Sequence, residues 1–147
     1  MQRRRFLENG VAAAPILALG LGGLVPARTL GAETHAWPSN AFHAEDLDTA
    51  ISELFGAAAA QDTDHIRLTA PDIAENGRIV PVELETDLPG ARTMAVLSDG
   101  NPFPLLARAQ VTPAVAPRVS VRVKMGQSAN LIALVEADGG LYRTTRA

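Results

Sequence analysis

A chain of 147 residues carrying 13 basic and 16 acidic side chains, one Trp, one Tyr and no cysteine has room for one modest domain. A net charge of −3 with so few aromatics offers neither a broad basic footprint for phosphate backbones nor stacking platforms for bases, which argues against nucleic acid as a partner. The lack of cysteine excludes a disulfide framework, a thiol nucleophile or a thiolate metal ligand within these residues.

The amino end has its own pattern. Gln2-Arg3-Arg4-Arg5-Phe6-Leu7 precedes an uncharged, glycine-rich apolar run from Val11 to Val25, which reads as a signal peptide whose twin-arginine export signal is Arg3, Arg4, Phe6 and Leu7. The run is 15 residues long and contains Pro15, whereas a bilayer span needs about 20 apolar residues, so no membrane anchor is expected to persist after cleavage. Small residues at Ala27 and Ala32 mark candidate cleavage sites, and the boundary is placed near Ala32. Removal of that segment takes four arginines and one glutamate, leaving 9 basic and 15 acidic residues and a net charge of −6. The expected organisation is a signal peptide at 1–32, a helix and linker at 33–64, and a β-sandwich at 65–147, in a periplasmic protein exported by the twin-arginine route.

Leu47, Ala50, Ile51, Leu54 and Phe55 fall at helical spacing and place one apolar stripe on a short amphipathic helix. Glu45, Asp46 and Asp48 suit the positive end of its dipole, and Gly56 suits its stop. Ala57 to Asp64 reads as a small linker. From His65 the period becomes two. Ile66 and Leu68, then Val80, Val82 and Leu84, then Val119, Val121 and Val123 alternate with polar residues or Pro81, so each run is a strand with one buried face. Less regular runs at Thr93 to Ser98, Leu105 to Val111, Asn130 to Glu136 and Leu141 to Arg146 bring the number of strands to seven. Turn residues separate them, among them Asn76-Gly77, Pro89-Gly90 and Asp138-Gly139-Gly140. The fold expected is all-β: an immunoglobulin-like antiparallel β-sandwich with one short amino-terminal amphipathic helix.

Within that fold, Asn76 and Gly77 tolerate positive φ and allow a sharp reversal, while Pro81 cannot donate a ladder hydrogen bond. The strand after the turn is therefore expected at a sheet edge or bulge, where Pro81, Glu83 and Glu85 protect it or contact a partner. Arg118, Arg122 and Lys124 form a basic face on another strand, which Arg143 and Arg146 are expected to extend; it is either an ordinary solvated face or a docking patch for an acidic partner. His35, His43 and His65 have no metal-ligand spacing, and a helix start explains His43 beside Glu45 and Asp46 without a cation. Ser98 beside Asp99, and Ser128, are read as turn residues in preference to nucleophiles. Glu83 and Glu85 share a face at a spacing that acid/base work on glycans requires, yet nothing else marks a sugar cleft. No cofactor, metal or catalytic residue is expected.

"APDIAENGRIVPVELE" from Ala70 to Glu85, "NPFPLLA" from Asn101 to Ala107 and "VSVRVKMGQSANLIALVEADGGLYRTTR" from Val119 to Arg146 resemble SoxY, the sulfur-carrier family of the thiosulfate-oxidising system. The resemblance implies an immunoglobulin-like sandwich that forms a heterodimer with a second small β-sandwich subunit, SoxZ. It also implies a non-catalytic platform, visited transiently by other sulfur-oxidation enzymes. In that family a cysteine within a carboxy-terminal Gly-Gly-Cys-Gly-Gly arm bears the cargo: glycines free the backbone and the thiolate is the nucleophile. No position here matches that cysteine. A truncated carrier is the expectation, and a cysteine-free periplasmic binding or assembly module is the alternative.

Overall fold

A computed structural model of the chain describes residues 37–147. The export signal at Arg3, Arg4, Phe6 and Leu7, and His35, lie outside the described residues. Two helices, α1 (Ser39–His43) and α2 (Leu47–Phe55), come first. Eight strands follow: β1 (Ala60–Asp62), β2 (Ile66–Thr69), β3 (Val80–Thr86), β4 (Thr93–Ser98), β5 (Leu105–Gln110), β6 (Arg118–Val123), β7 (Leu131–Ala137) and β8 (Gly140–Arg146).

The helix α2 starts where Asp46, in extended conformation, accepts the Thr49 N–H at 2.8 Å. That contact satisfies one of the free donors of the first turn. The helix stops at Gly56, whose φ of 70° suits a residue without Cβ and whose N–H donates to Ser52 O at 2.8 Å. Its stripe is used as the spacing implies. Ala50 is fully buried, and Leu47, Ile51, Leu54 and Phe55 pack over a cluster formed by Ala95, Leu97, Ile132, Leu134 and Leu141.

The strands make two sheets, one of five in the order β1-β8-β7-β4-β5 and one of three in the order β2-β3-β6. A second apolar cluster lies between them, where Val82 and Leu84 of β3 meet Met94 and Val96 of β4 and Val135 of β7. Three layers result: helices, the five-stranded sheet, and the three-stranded sheet. The middle layer is covered on both faces, and accordingly all six residues of β4 are buried. Full burial of an aliphatic side chain such as Leu97 or Leu134 contributes on the order of 1.5–3 kcal/mol.

Four features depart from the sequence expectations. The stretch Ala57 to Asp64 is more than a linker, since β1 lies within it and pairs in parallel with β8, Ala60 against Leu141 and Asp62 against Arg143. The short helix α1 precedes α2, so the described residues hold two helices. Gly77 is absent from the positive-φ glycines, which are Gly56, Gly90, Gly139 and Gly140. What demands glycine there is proximity: a Cβ on Gly77 would stand 2.9 Å from Met125 O, while Met125 N–H donates to Gly77 O at 2.7 Å. Asn76 makes the turn through its side chain, whose Oδ1 accepts the Arg78 N–H at 3.0 Å. Finally, β3 is the central strand of its sheet and not an edge.

Pro81 is compatible with that central place for a local reason. Thr86 N–H donates toward β6, to Pro117 O at 3.1 Å, and Asp87 N–H toward β2, to His65 O at 3.3 Å. Alternation along the strand turns the Pro81 nitrogen to the β2 side, as it does that of Asp87. The last β2 pair is Thr69 with Glu83, so β2 has already ended when β3 reaches Pro81. The missing N–H therefore faces no ladder acceptor.

Candidate functional site

The polar members of β2, β3 and β6 share the uncovered face of the three-stranded sheet. Register places Glu85 between Arg67 of β2 and Arg118 of β6, Glu83 between Thr69 and Ser120, and Pro81 opposite Arg122. The two partner surfaces named from the sequence, Pro81 with Glu83 and Glu85, and Arg118 with Arg122 and Lys124, are thus one surface. Lys124 follows β6 and, on the same register, stands opposite Ile79.

Ion pairing divides this face. Arg118 donates through its guanidinium to Glu83 and lies 3.0 Å from Glu85 Oε1, while Arg67 Nη1 stands 3.9 Å from Glu85 Oε2. The two glutamates are half-buried beneath these contacts, so their shared face is explained by cross-strand pairing with arginine. Lys124, Arg122, Pro81 and Ile79 are all exposed.

Arg143 and Arg146 do not extend the basic face. They belong to β8 in the other sheet, and each has its own carboxylate: Asp62 at 2.6 Å from Arg143 Nε, and Asp72 at 2.5 Å from Arg146 Nη2. The Arg143 hydrogen bond, reinforced by its charge, holds the Asp62 carboxyl below its ordinary value and raises the guanidinium in return. The Asp46 carboxyl is also lowered, chiefly by the Thr49 N–H that it accepts at the start of α2.

The remaining candidates occupy structural places. His43 Nδ1 lies 2.7 Å from Ser39 O, and His65 Nδ1 lies 2.9 Å from Asp87 Oδ1, joining the residue before β2 to the residue after β3. Ser98 is fully buried at the end of β4 and its Oγ accepts the Gly100 N–H at 3.3 Å. The Asp99 carboxylate holds the Asn130 backbone N–H and side-chain amide at 2.8 and 2.7 Å. Ser128 lines a cleft of about 410 Å³ between the 70–74 and 125–129 loops, with Arg146 at its rim. A second cleft of about 410 Å³ lies beside His65, Asp87 and Arg118. No group of three or more ionisable residues suited to hold a metal occurs among the described residues.

Sequence reasoning missed Arg67 and Ile79 as members of the outer face. The signal for Arg67 was its alternation with Ile66 and Leu68; for Ile79 it was the odd-numbered series that continues through Pro81, Glu83 and Glu85.

The family model described as "Sulfur oxidation protein SoxY" matches residues 51–147. Among solved structures, the sulfur carrier protein SoxY from Chlorobium limicola f thiosulfatophilum is 40% identical, covers 76% of this chain and 96% of its own, and superposes with a TM-score of 0.64. Superoxide reductase (neelaredoxin) from Ignicoccus hospitalis is 20% identical over 66% of this chain and 83% of its own, with a TM-score of 0.50. A second structure of that reductase is 21% identical over 66% and 82%, also at 0.50. The likeness to the reductase concerns the fold alone. No curated protein matches the chain. The strand pattern, the two-sheet architecture and the match over residues 51–147 agree, and the chain belongs to the SoxY family of sulfur oxidation proteins.

Proposed function

We propose that this protein is the sulfur-carrier subunit of a periplasmic thiosulfate-oxidation system, a non-catalytic platform that holds cargo for other enzymes. The observation that carries the reading is the 40% identity to a protein described as a sulfur carrier, over 96% of that protein. The carrier pairs with a SoxZ-like β-sandwich subunit, and the outer face of β2, β3 and β6 is the surface through which it does so. Twin-arginine export through Arg3 and Arg4 delivers it already folded.

Covalent carriage of sulfur needs a thiolate, and none of the 147 residues is cysteine. The reading therefore requires a thiol from a segment outside these residues. That same composition favours one second reading, an assembly module without cargo. Intact mass and maleimide labelling of the protein purified from its source decide between them. A carrier shows one reactive thiol on the native polypeptide; a native product without any thiol leaves only the assembly module. Replacing Arg3 and Arg4 by Lys is expected to retain the precursor in the cytoplasm, and unimpaired export would remove the twin-arginine assignment.

A further inference from the structure

Half of the outer face neutralises itself and the other half does not. Around Arg118, four side chains of opposite charge interlock: Arg67, Glu83, Glu85 and Arg118. At the opposite end Arg122 stands across from Pro81 and Lys124 across from Ile79, and neither cation has an ion-pair partner among the described residues. Here the sheet is only two strands wide, because β2 stops at Thr69. Ile79 is 56% exposed, a large apolar side chain set between a proline and two uncompensated cations.

The chemistry of such a shelf is specific. In a chain of net charge −3, two unopposed cations on one sheet face create a local positive potential that attracts carboxylates. Ile79, Pro81 and the aliphatic stems of Arg122 and Lys124 supply apolar area under those charges. Pro81 offers no N–H on the side that β2 vacates, so a visiting strand cannot extend the sheet by a regular ladder there. A partner must dock by its side chains on the face.

We propose that Ile79, Pro81, Arg122 and Lys124 form the docking shelf for a carboxylate-rich surface of the second small β-sandwich subunit. This deepens the pairing reading above and rests on it. The self-neutralised end around Arg118 then lies outside the energetic centre of the contact, since its arginine and glutamates already satisfy one another.

The test uses the full chain co-expressed with the SoxZ-like subunit, with affinity measured across a salt series. Arg122→Glu with Lys124→Glu is expected to weaken pairing by at least about tenfold and to flatten its salt dependence, largely through slower association. Ile79→Ser is expected to weaken pairing without altering the salt dependence. Thr145→Glu, which adds an acid to β8 in the other sheet, is the control and is expected to leave pairing unchanged. Pairing that survives the double reversal overturns the shelf and leaves the carrier reading standing; failure of the unsubstituted chain to pair overturns both. If the double reversal instead abolishes self-association and spares the heterodimer, the shelf belongs to a second copy of this chain and the proposal fails.

Discussion

The two sheets are built from similar residues but face different surroundings. In the five-stranded sheet both faces are covered, by helices on one side and by strands on the other, and β4 and β7 are buried at nearly every position. In the three-stranded sheet only one face is covered, and β2 and β6 alternate between apolar and polar residues, with β3 close to it. Period-two alternation therefore marks the sheet that keeps a face open, and it is that open face that carries the charges available to another molecule.

The contrast is sharpest in stability. Leu134→Ala in the covered sheet is expected to cost about 2–5 kcal/mol, read as a lower urea midpoint, because it leaves a cavity beneath the helices in a fully buried cluster. Ser120→Ala on the open face is expected to change stability by less than about 0.5 kcal/mol in the same measurement. Equal losses at the two sites would mean that the three-stranded sheet is covered on both sides as well. Gly77→Ala, which drives a Cβ against the Met125 carbonyl at the end of the open sheet, is expected to cost about 1–3 kcal/mol by thermal melting. A neutral result would show that the loop yields. Arg118→Ala removes the contacts to Glu83 and Glu85, both partly solvated, and is expected to cost about 1 kcal/mol or less, a loss that shrinks as salt is added. A loss that salt leaves unchanged would point to packing by the arginine stem. The smallest effect is in acid. The Asp46 and Asp62 carboxyls are lowered on folding, so their contribution is complete above the usual carboxylate range, about pH 4, and disappears as pH falls through their folded values. Asp62→Asn is expected to flatten the acid limb of the stability profile, and an unchanged limb would contradict the Arg143 pairing.

Much of this architecture is legible in the sequence. The seven strands expected from it all form, with ends moved by a residue or two, and α2 spans the apolar stripe from Leu47 to Phe55. The strand β1 is hidden because Ala60-Gln61-Asp62 is too short to show a period. The helix α1 is hidden because it has only five residues, Ser39–His43, and the Pro38 that precedes it offers no side-chain cap. Thr93 to Ser98 reads as irregular for the reason that makes it central: with two buried faces there is no polar alternate. Pro81 misleads in the opposite direction. Its chemistry belongs to a strand edge, and the edge exists, but only where short β2 leaves part of central β3 without a neighbour. The site is half visible. Each polar set is identifiable within its own strand, whereas their merger into one face depends on pairing between residues 35 positions apart, such as Glu83 with Arg118, which local pattern does not encode.

The parallel pairing of β1 with β8 has a consequence for the order of assembly. Asp62 meets Arg143 across 81 positions of sequence, so the first strand of the described body has no neighbour until nearly the whole of that body has left the ribosome. Closing so long a loop is among the slower events in folding, and until it happens one margin of the larger sheet stays exposed to the wrong company. A polypeptide wired this way seals its larger sheet last, when the two ends of the described body meet.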